Sequence, residues 1–342
     1  MKQLLKHTLF GVLLLALAGC DSLSSSSSKK EALGLPYEVI IVCNNTEWKG
    51  PLGEELRSVL QAPVEMLNQE EPMFDVLHAL PQSFDRLYSA HRNIIKVVCS
   101  PNVQKTAILA KYDVDAAPQI VLTFQGPTIE SMINYLKENG DALCRVLEMA
   151  ERDRTLAAAK RGGAKDLEST IRKQFGVDIP LNTGYKFRTQ SDNFIWASNE
   201  FPVASQGFFI YSHPFSGKKS ITTEALVKAR NEFAMRIPGP SNGSYMTTLS
   251  RIPNIENNGY VNFVPERRVL TINGHDWIEL RGFWEVEGDF MGGPFVSYTT
   301  LNKQTGQLLT IDCYVFSPNE EKRNYLRTLE HLVYGVTFPT EE

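Results

Sequence analysis

The sequence predicts an α+β protein made of two α/β halves, with antiparallel sheets covered by helices. Three observations predict it. Short β-branched apolar runs recur along the chain between amphipathic stretches of helical spacing. The runs of the second half come mostly in hairpin pairs, one of them closed by Asn273-Gly274, which accepts the positive φ angles of a type I′ turn. Around Gly162-Gly163, glycine and charge replace the apolar pattern, which divides a first half at 35–161 from a second at 162–342.

The chain begins with Lys2 and Lys6 ahead of an apolar segment from Leu9 to Gly19. A helix needs about 20 residues to cross a bilayer, so this segment is too short to span one. A positive start, a short apolar middle and small residues at Ala18 and Gly19 fit a secretory signal peptide over residues 1–19. Leu17-Ala18-Gly19-Cys20 resembles the lipobox of bacterial lipoproteins, which implies cleavage before Cys20 and acylation of its thiol and freed amine. Two or three acyl chains hold a protein stably on a membrane, whereas one does so only marginally. Residues 20–34, with five consecutive serines and few apolar side chains, cannot bury enough surface to fold and read as a tether. Such a tether holds the body roughly 20 Å from the lipid.

In the first half, Tyr37 to Cys43 (YEVIIVC) reads as a buried strand, and PLGEELRSVLQ as a helix opened by Pro51 with Glu54 and Glu55 near its positive end. FDVLHAL, NIIKVVC, TAILAKYDV and QIVLTF supply further strands. A long helical pattern runs from Thr128, with Ile129, Ile133, Leu136, Leu143 and Leu147 on one face and a break expected at Gly140. The second half opens with a helix around KDLESTIRKQFG and continues with the strands YKFRT, NFIWAS and GFFIYS. TTEALVKARNEFAMRI is a helix capped by Thr222 or Thr223 and ended by Pro238. RVLTI and HDWIELRGFWEVE form the Asn273-Gly274 hairpin, and FVSYTTLNKQTGQLLTIDCYVF a second one around Thr305-Gly306. A last helix carries Leu326, Leu329 and Val333 on one face.

The strings LPYEVIIVCNNTEWKGPLGEELRSVL, IPGPSNGSYMTT, RGFWEVEGDFMGGPFVSYTTLN and IDCYVFSPNEEKRNYLRTLEHL resemble, from about Leu35 to Phe338, an uncharacterised family of Bacteroidota lipoproteins, domain of unknown function 4837. The resemblance implies an envelope lipoprotein and brings no catalytic residue with it. The order of elements after Asp178, from IPLNTGYKF to the last helix and GVTF, is similar to the Mog1/PsbP-like α/β/α sandwich, which implies a binding or assembly module.

Composition narrows the function further. Loss of residues 1–19 leaves 33 of the 35 basic residues against 39 acidic ones, a net charge of −6, without the clustered positive charge of a nucleic-acid footprint. Cys43, Cys99, Cys144 and Cys313 lie in apolar runs, where buried free thiols are expected, while an extracytoplasmic location also permits disulfides in any of three complete pairings. His78, His91, His213, His275 and His331 are scattered without ligand spacing, so neither a metal nor another cofactor is expected. The expected partners are the membrane, through the lipid on Cys20, and an envelope protein or glycan. Localisation is expected at the outer membrane.

Three readings concern chemistry. Asp21-Ser22-Leu23 resembles the acceptor of Bacteroidota O-glycosylation, which makes Ser22 a candidate acceptor. Glu279, Glu285, Glu287 and Asp289 invite a glycoside or cell-wall hydrolase, because two carboxylates about 5–10 Å apart serve as acid and nucleophile or base. However, strand alternation sets Glu279 and Glu285 beside Arg281, where mutual neutralisation on a solvated face is expected. On that same face Trp277 and Phe283, with Phe290 and Met291 of the GDFMGGP loop, form a candidate binding surface. Internal cover of Trp277 by a helix is the alternative.

Overall fold

The computed structural model describes residues 29–84, 87–254 and 258–339. Cys20 and Ser22 lie outside the described residues. The end of the tether expected over 20–34 is corrected: Lys30–Glu31 form a strand paired in parallel with Ala116–Ala117 and Leu33 bridges to His91, because backbone pairing holds this segment where its side chains bury little.

The first half comprises β1 (Lys30–Glu31), β2 (Glu38–Val42), α1 (Asn45–Lys49), α2 (Pro51–Leu60), β3 (Asp75–Ala79), β4 (Asn93–Cys99), β5 (Ala107–Tyr112), β6 (Ala116–Ala117), β7 (Ile120–Gly126) and α3 (Ile129–Gly162). Five strands make one sheet in the order β3-β2-β4-β7-β5. Here the structure corrects the expectation of antiparallel pairing, because β3, β2, β4 and β7 are all parallel and only β5 runs against its neighbour. The near-continuous apolar runs VIIV and NIIKVV suit central parallel strands buried on both faces, whereas alternation would mark a half-solvated antiparallel one. One face carries Val39, Ile41, Ile95, Leu122 and Phe124 under α2 and α3.

The break expected at Gly140 does not occur, and α3 is one helix of 34 residues, about 51 Å long. Gly140 serves contact rather than bending: a Cβ there would come within 2.8 Å of Val59 Cγ2, so glycine lets α2 approach closely. Met132, Leu136, Leu143 and Leu147 bury in the first core, while Ala159, three turns on, belongs to the second.

The second half follows with α4 (Lys165–Phe175), β8 (Lys186–Ser191), β9 (Phe194–Glu200), β10 (Ser205–Pro214), α5 (Thr223–Ala234), β11 (Tyr245–Thr248), β12 (Arg251–Asn254), β13 (Gly259–Asn262), β14 (Glu266–Ile272), β15 (His275–Glu287), β16 (Gly292–Asn302), β17 (Gln307–Phe316) and α6 (Arg323–Tyr334). Its main sheet is antiparallel, ordered β11-β15-β16-β17-β10-β9-β8, with β14 also paired to β15. Asn273 and Gly274 have φ of 49° and 78°, as the hairpin reading requires. Thr222 Oγ1 accepts from Ala225 N at 3.2 Å and so starts α5. Leu167 and Ile171 of α4 and Leu326, Leu329 and Val333 of α6 cover one face of this sheet. Leu226 and Phe233 of α5 cover the other, so the second half is an α/β/α sandwich.

The halves meet along α3 and α6. Glu71 accepts from the backbone N–H groups of Lys322 and Arg323, at 2.8 and 2.7 Å, and thereby satisfies donors that open α6. Tyr37 Oη lies 2.9 Å from His331 Nε2 and 3.0 Å from Glu148, and His331 Nδ1 lies 2.9 Å from Thr155. The seam is therefore polar and buried.

Candidate functional site

The four aromatic and thioether residues expected to form one surface are separated by the fold. Trp277 is 1% exposed, within the core under α4 and α6, with the Phe338 ring 6.3 Å from its own. This corrects the exposed-platform expectation for Trp277 and bears out its alternative, internal cover. Phe283 is half-buried beneath Phe263, ring centroids 5.4 Å apart. Phe290 is fully exposed, and Met291 half-buried.

The charged face of β15 is not solvated either. Arg281 donates from Nε and Nη2 to both oxygens of Glu279, at 2.8 and 3.0 Å, and from Nη1 to Glu330 of α6 at 2.7 Å. Arg327 binds the other Glu330 oxygen at 2.8 Å. Burial alone would raise the Glu330 carboxyl, but Arg281 and Arg327 bring it down to about 2. Neutralisation of Glu279 by Arg281 thus occurs, in the interior and not in water.

The remaining carboxylates of the stretch differ in their surroundings. Asp289 accepts from Ser241 Oγ with one oxygen and from Phe290 N with the other, which lowers its pKa and ties it to the loop it belongs to. Glu285 is raised by partial burial and by Glu287 beside it. Glu279 is committed to Arg281. The thiols of Cys43, Cys99, Cys144 and Cys313 are free; burial pushes Cys43 and Cys144 up to about 11, away from nucleophilic thiolate, whereas Cys99 is only half-buried.

What the fold does bring together is a cavity of about 530 Å³ beside the GDFMGGP loop. Glu285, Asp289, Phe290 and Met291 line it on one side, Phe316 and Ser317 at the end of β17 on another, and Asn68 and Gln69 of the first half close it. Ser317 is 1% exposed, and its Oγ has no hydrogen-bond partner among the described residues. Gly288, at φ 85°, makes the turn that throws Phe290 outward. Sequence reasoning reached Phe290 and Met291 but missed Ser317, Asn68 and Gln69. No local pattern marks them, since a span of some 250 residues separates the two sides.

A second, more apolar groove of about 600 Å³ runs between α5 and β11, lined by Val227, Met235, Tyr245, Phe263 and Val264. The run Phe263-Val264-Pro265, apolar yet outside any strand, was its one signal in the sequence. No described helix is long and apolar enough to cross a membrane.

Residues 164–335, just over half of the chain, match the family described as domain of unknown function DUF4837, and the chain belongs to that family. Residues 32–160 match a second one, domain of unknown function DUF8532, so the likeness read over the whole body divides between two families. No curated protein matches the chain. Among solved structures, a Mog1 E65A mutant is 11% identical over 48% of this chain and 90% of its own, with a TM-score of 0.28. LpqN, described as involved in cell envelope biogenesis of Mycobacterium tuberculosis, is 9% identical over 47% and 82%, also at 0.28. The human StarD13 lipid transfer and protein localization domain is 10% identical over 50% and 94%, at 0.21.

Proposed function

We propose that this member of the DUF4837 family is a non-enzymatic binding module of the cell envelope, held at the outer membrane by lipid on Cys20, that takes a glycan in the cavity beside the GDFMGGP loop. The anchor rests on the leader and the Leu17-Ala18-Gly19-Cys20 lipobox. One observation carries the binding reading: Phe290, fully exposed, stands at the mouth of this cavity. A large aromatic left in water forgoes roughly 25 cal/mol per Å² of burial, which a ligand covering it would restore. The apolar face of a sugar ring suits such a ring, while the amides of Asn68 and Gln69 and the Glu285 carboxylate suit its hydroxyls.

The non-enzymatic part is supported by the carboxylates. Both Asp289 oxygens are already taken and Glu279 is sealed in its ion pair, so among the described residues Glu285 alone of the two carboxylates that line the cavity is unengaged, and Glu287, the charged neighbour that raises it, lies outside the lining. Titration calorimetry with soluble peptidoglycan fragments and with envelope oligosaccharides tests the reading. Phe290→Ala should weaken binding at least about tenfold and leave the melting temperature unchanged, since the ring touches little of the fold. Equal binding by Phe290→Ala would remove the site, and accumulation of reducing sugar ends would make the protein an enzyme.

A further inference from the structure

The first described residues place the point at which the chain leaves for its anchor. Lys30 and Glu31 pair in parallel with Ala116 and Ala117, Ala32 N donates to Ala117 O at 3.1 Å, and Leu33 N donates to Ala90 O at 2.9 Å. Lys29 Nζ donates to the Asp113 carbonyl. The exit is thereby fixed against the 112–117 loop, at the amino-terminal ends of β4 and β7. Four large apolar side chains are exposed around it. Tyr112 is 63% exposed, Leu35 66%, Leu33 43% and Val114 41%. Lys29, Lys30, Lys111 and Arg161 are exposed among them, as are the acidic Glu31, Asp115 and Asp153, so the patch is close to neutral and mixes apolar with charged side chains.

Eight residues separate Cys20 from Lys29. At a maximum of about 3.3–3.6 Å per residue, nine steps reach roughly 30 Å whatever conformation they take. A body of about 300 residues has a radius of gyration of about 19 Å and is therefore roughly 50 Å across. A chain that short cannot pass around the body, so the face at Lys29 is the one turned toward the bilayer. Tyrosine favours the membrane–water boundary, and lysine lays its stem on apolar surface while its ammonium stays among headgroups.

We propose that this face, centred on Leu33, Leu35, Tyr112 and Val114, is a docking surface for lipid headgroups that seats the body on the bilayer instead of leaving it free on its tether. The proposal rests on the lipid-anchor reading and does not depend on the glycan cavity. Its occupant is a phospholipid surface.

The test uses the full, lipidated chain in a Cys99→Ser background, reconstituted into vesicles of phosphatidylethanolamine and phosphatidylglycerol at about 3:1. A polarity-sensitive fluorophore is placed on Val114→Cys, on Leu35→Cys as an independent position, and on Met235→Cys as the control. Met235 follows α5, which lies across the second sheet from α6 and hence from the first half. On transfer from detergent to vesicles, emission should rise about threefold or more at 114 and 35 and stay level at 235. Flotation with the vesicles but level emission at 114 and 35 would overturn the docking face and leave the anchor standing. An equal rise at all three positions would overturn it as well, since no one face would then be preferred. Failure to float would overturn the anchor and the docking face together.

Discussion

Arg281→Met removes a guanidinium while keeping a side chain of similar length, and its consequences follow from three hydrogen bonds. Glu279 loses both of its partners, at 2.8 and 3.0 Å, and Glu330 loses one of its two. Glu279 is 4% exposed and Glu330 2%, so water cannot replace what is lost. Removing one member of a buried ion pair costs about 3–5 kcal/mol, because a charge is left stranded in a medium of low polarisability. An exposed pair would cost only about 0–1 kcal/mol. Urea unfolding followed by tryptophan fluorescence reads the difference, with Trp277 and Trp284 on the same strand as reporters. Adding Glu279→Gln to Arg281→Met should restore at least about 1 kcal/mol, since it removes the stranded charge. A loss below about 1 kcal/mol for Arg281→Met, or no recovery in the double variant, would refute the buried network and return this face of β15 to solvent.

Three further outcomes follow from the same structure. Stability should fall steeply in acid: Glu330 is held at about 2, below the ordinary carboxyl value near 4.3, so its contribution is complete above that value and is lost as pH falls toward 2. The difference amounts to about 3 kcal/mol, and Glu330→Gln should flatten the urea-midpoint profile across that window; an unchanged slope would disprove the assignment. Trp277→Ala should cost about 3–5 kcal/mol in the same unfolding experiment, and a change near zero would restore Trp277 to an exposed surface. Limited proteolysis should give no early cut between Ala157 and Asp166, because α3 stays helical to Gly162 and Ala159 is fully buried in the second core; mass spectrometry showing two stable fragments divided there would contradict this.

Much of the fold was legible because its signals are local. The Asn273-Gly274 turn, the Thr222 cap and the apolar stripe of Leu326, Leu329 and Val333 each lie within a dozen residues, and each appears where the pattern puts it. Parallel pairing in the first sheet was not legible in the same way. VIIV of β2 (Glu38–Val42) pairs with β3 (Asp75–Ala79) on one side and β4 (Asn93–Cys99) on the other, both far beyond the range of a local turn signal. Gly140 misled for a related reason. Its cost inside a helix is visible from propensity, but its benefit, the approach of Val59, is a tertiary contact.

The candidate site shows where strand alternation stops being informative. Alternation correctly sorted β15 into two sets, Leu280, Trp284 and Val286 on one face and Trp277, Glu279 and Arg281 on the other. It then assigned the charged set to water, because charge on a strand is usually solvated. The missing fact is that α6 brings Glu330 and Arg327, about 50 residues further on, to the same place, which turns four charges that would each be costly to bury alone into one mutually bonded group. Trp277 lies in the core that α4 and α6 cover, with Phe338, just past α6, beside its ring. Phe290 escapes this cover because it belongs to the loop after β15, off the face of the sheet on which α6 packs. The two aromatics therefore differ in what packs above them and not in any local pattern, and only the one in the loop is left for a ligand to cover.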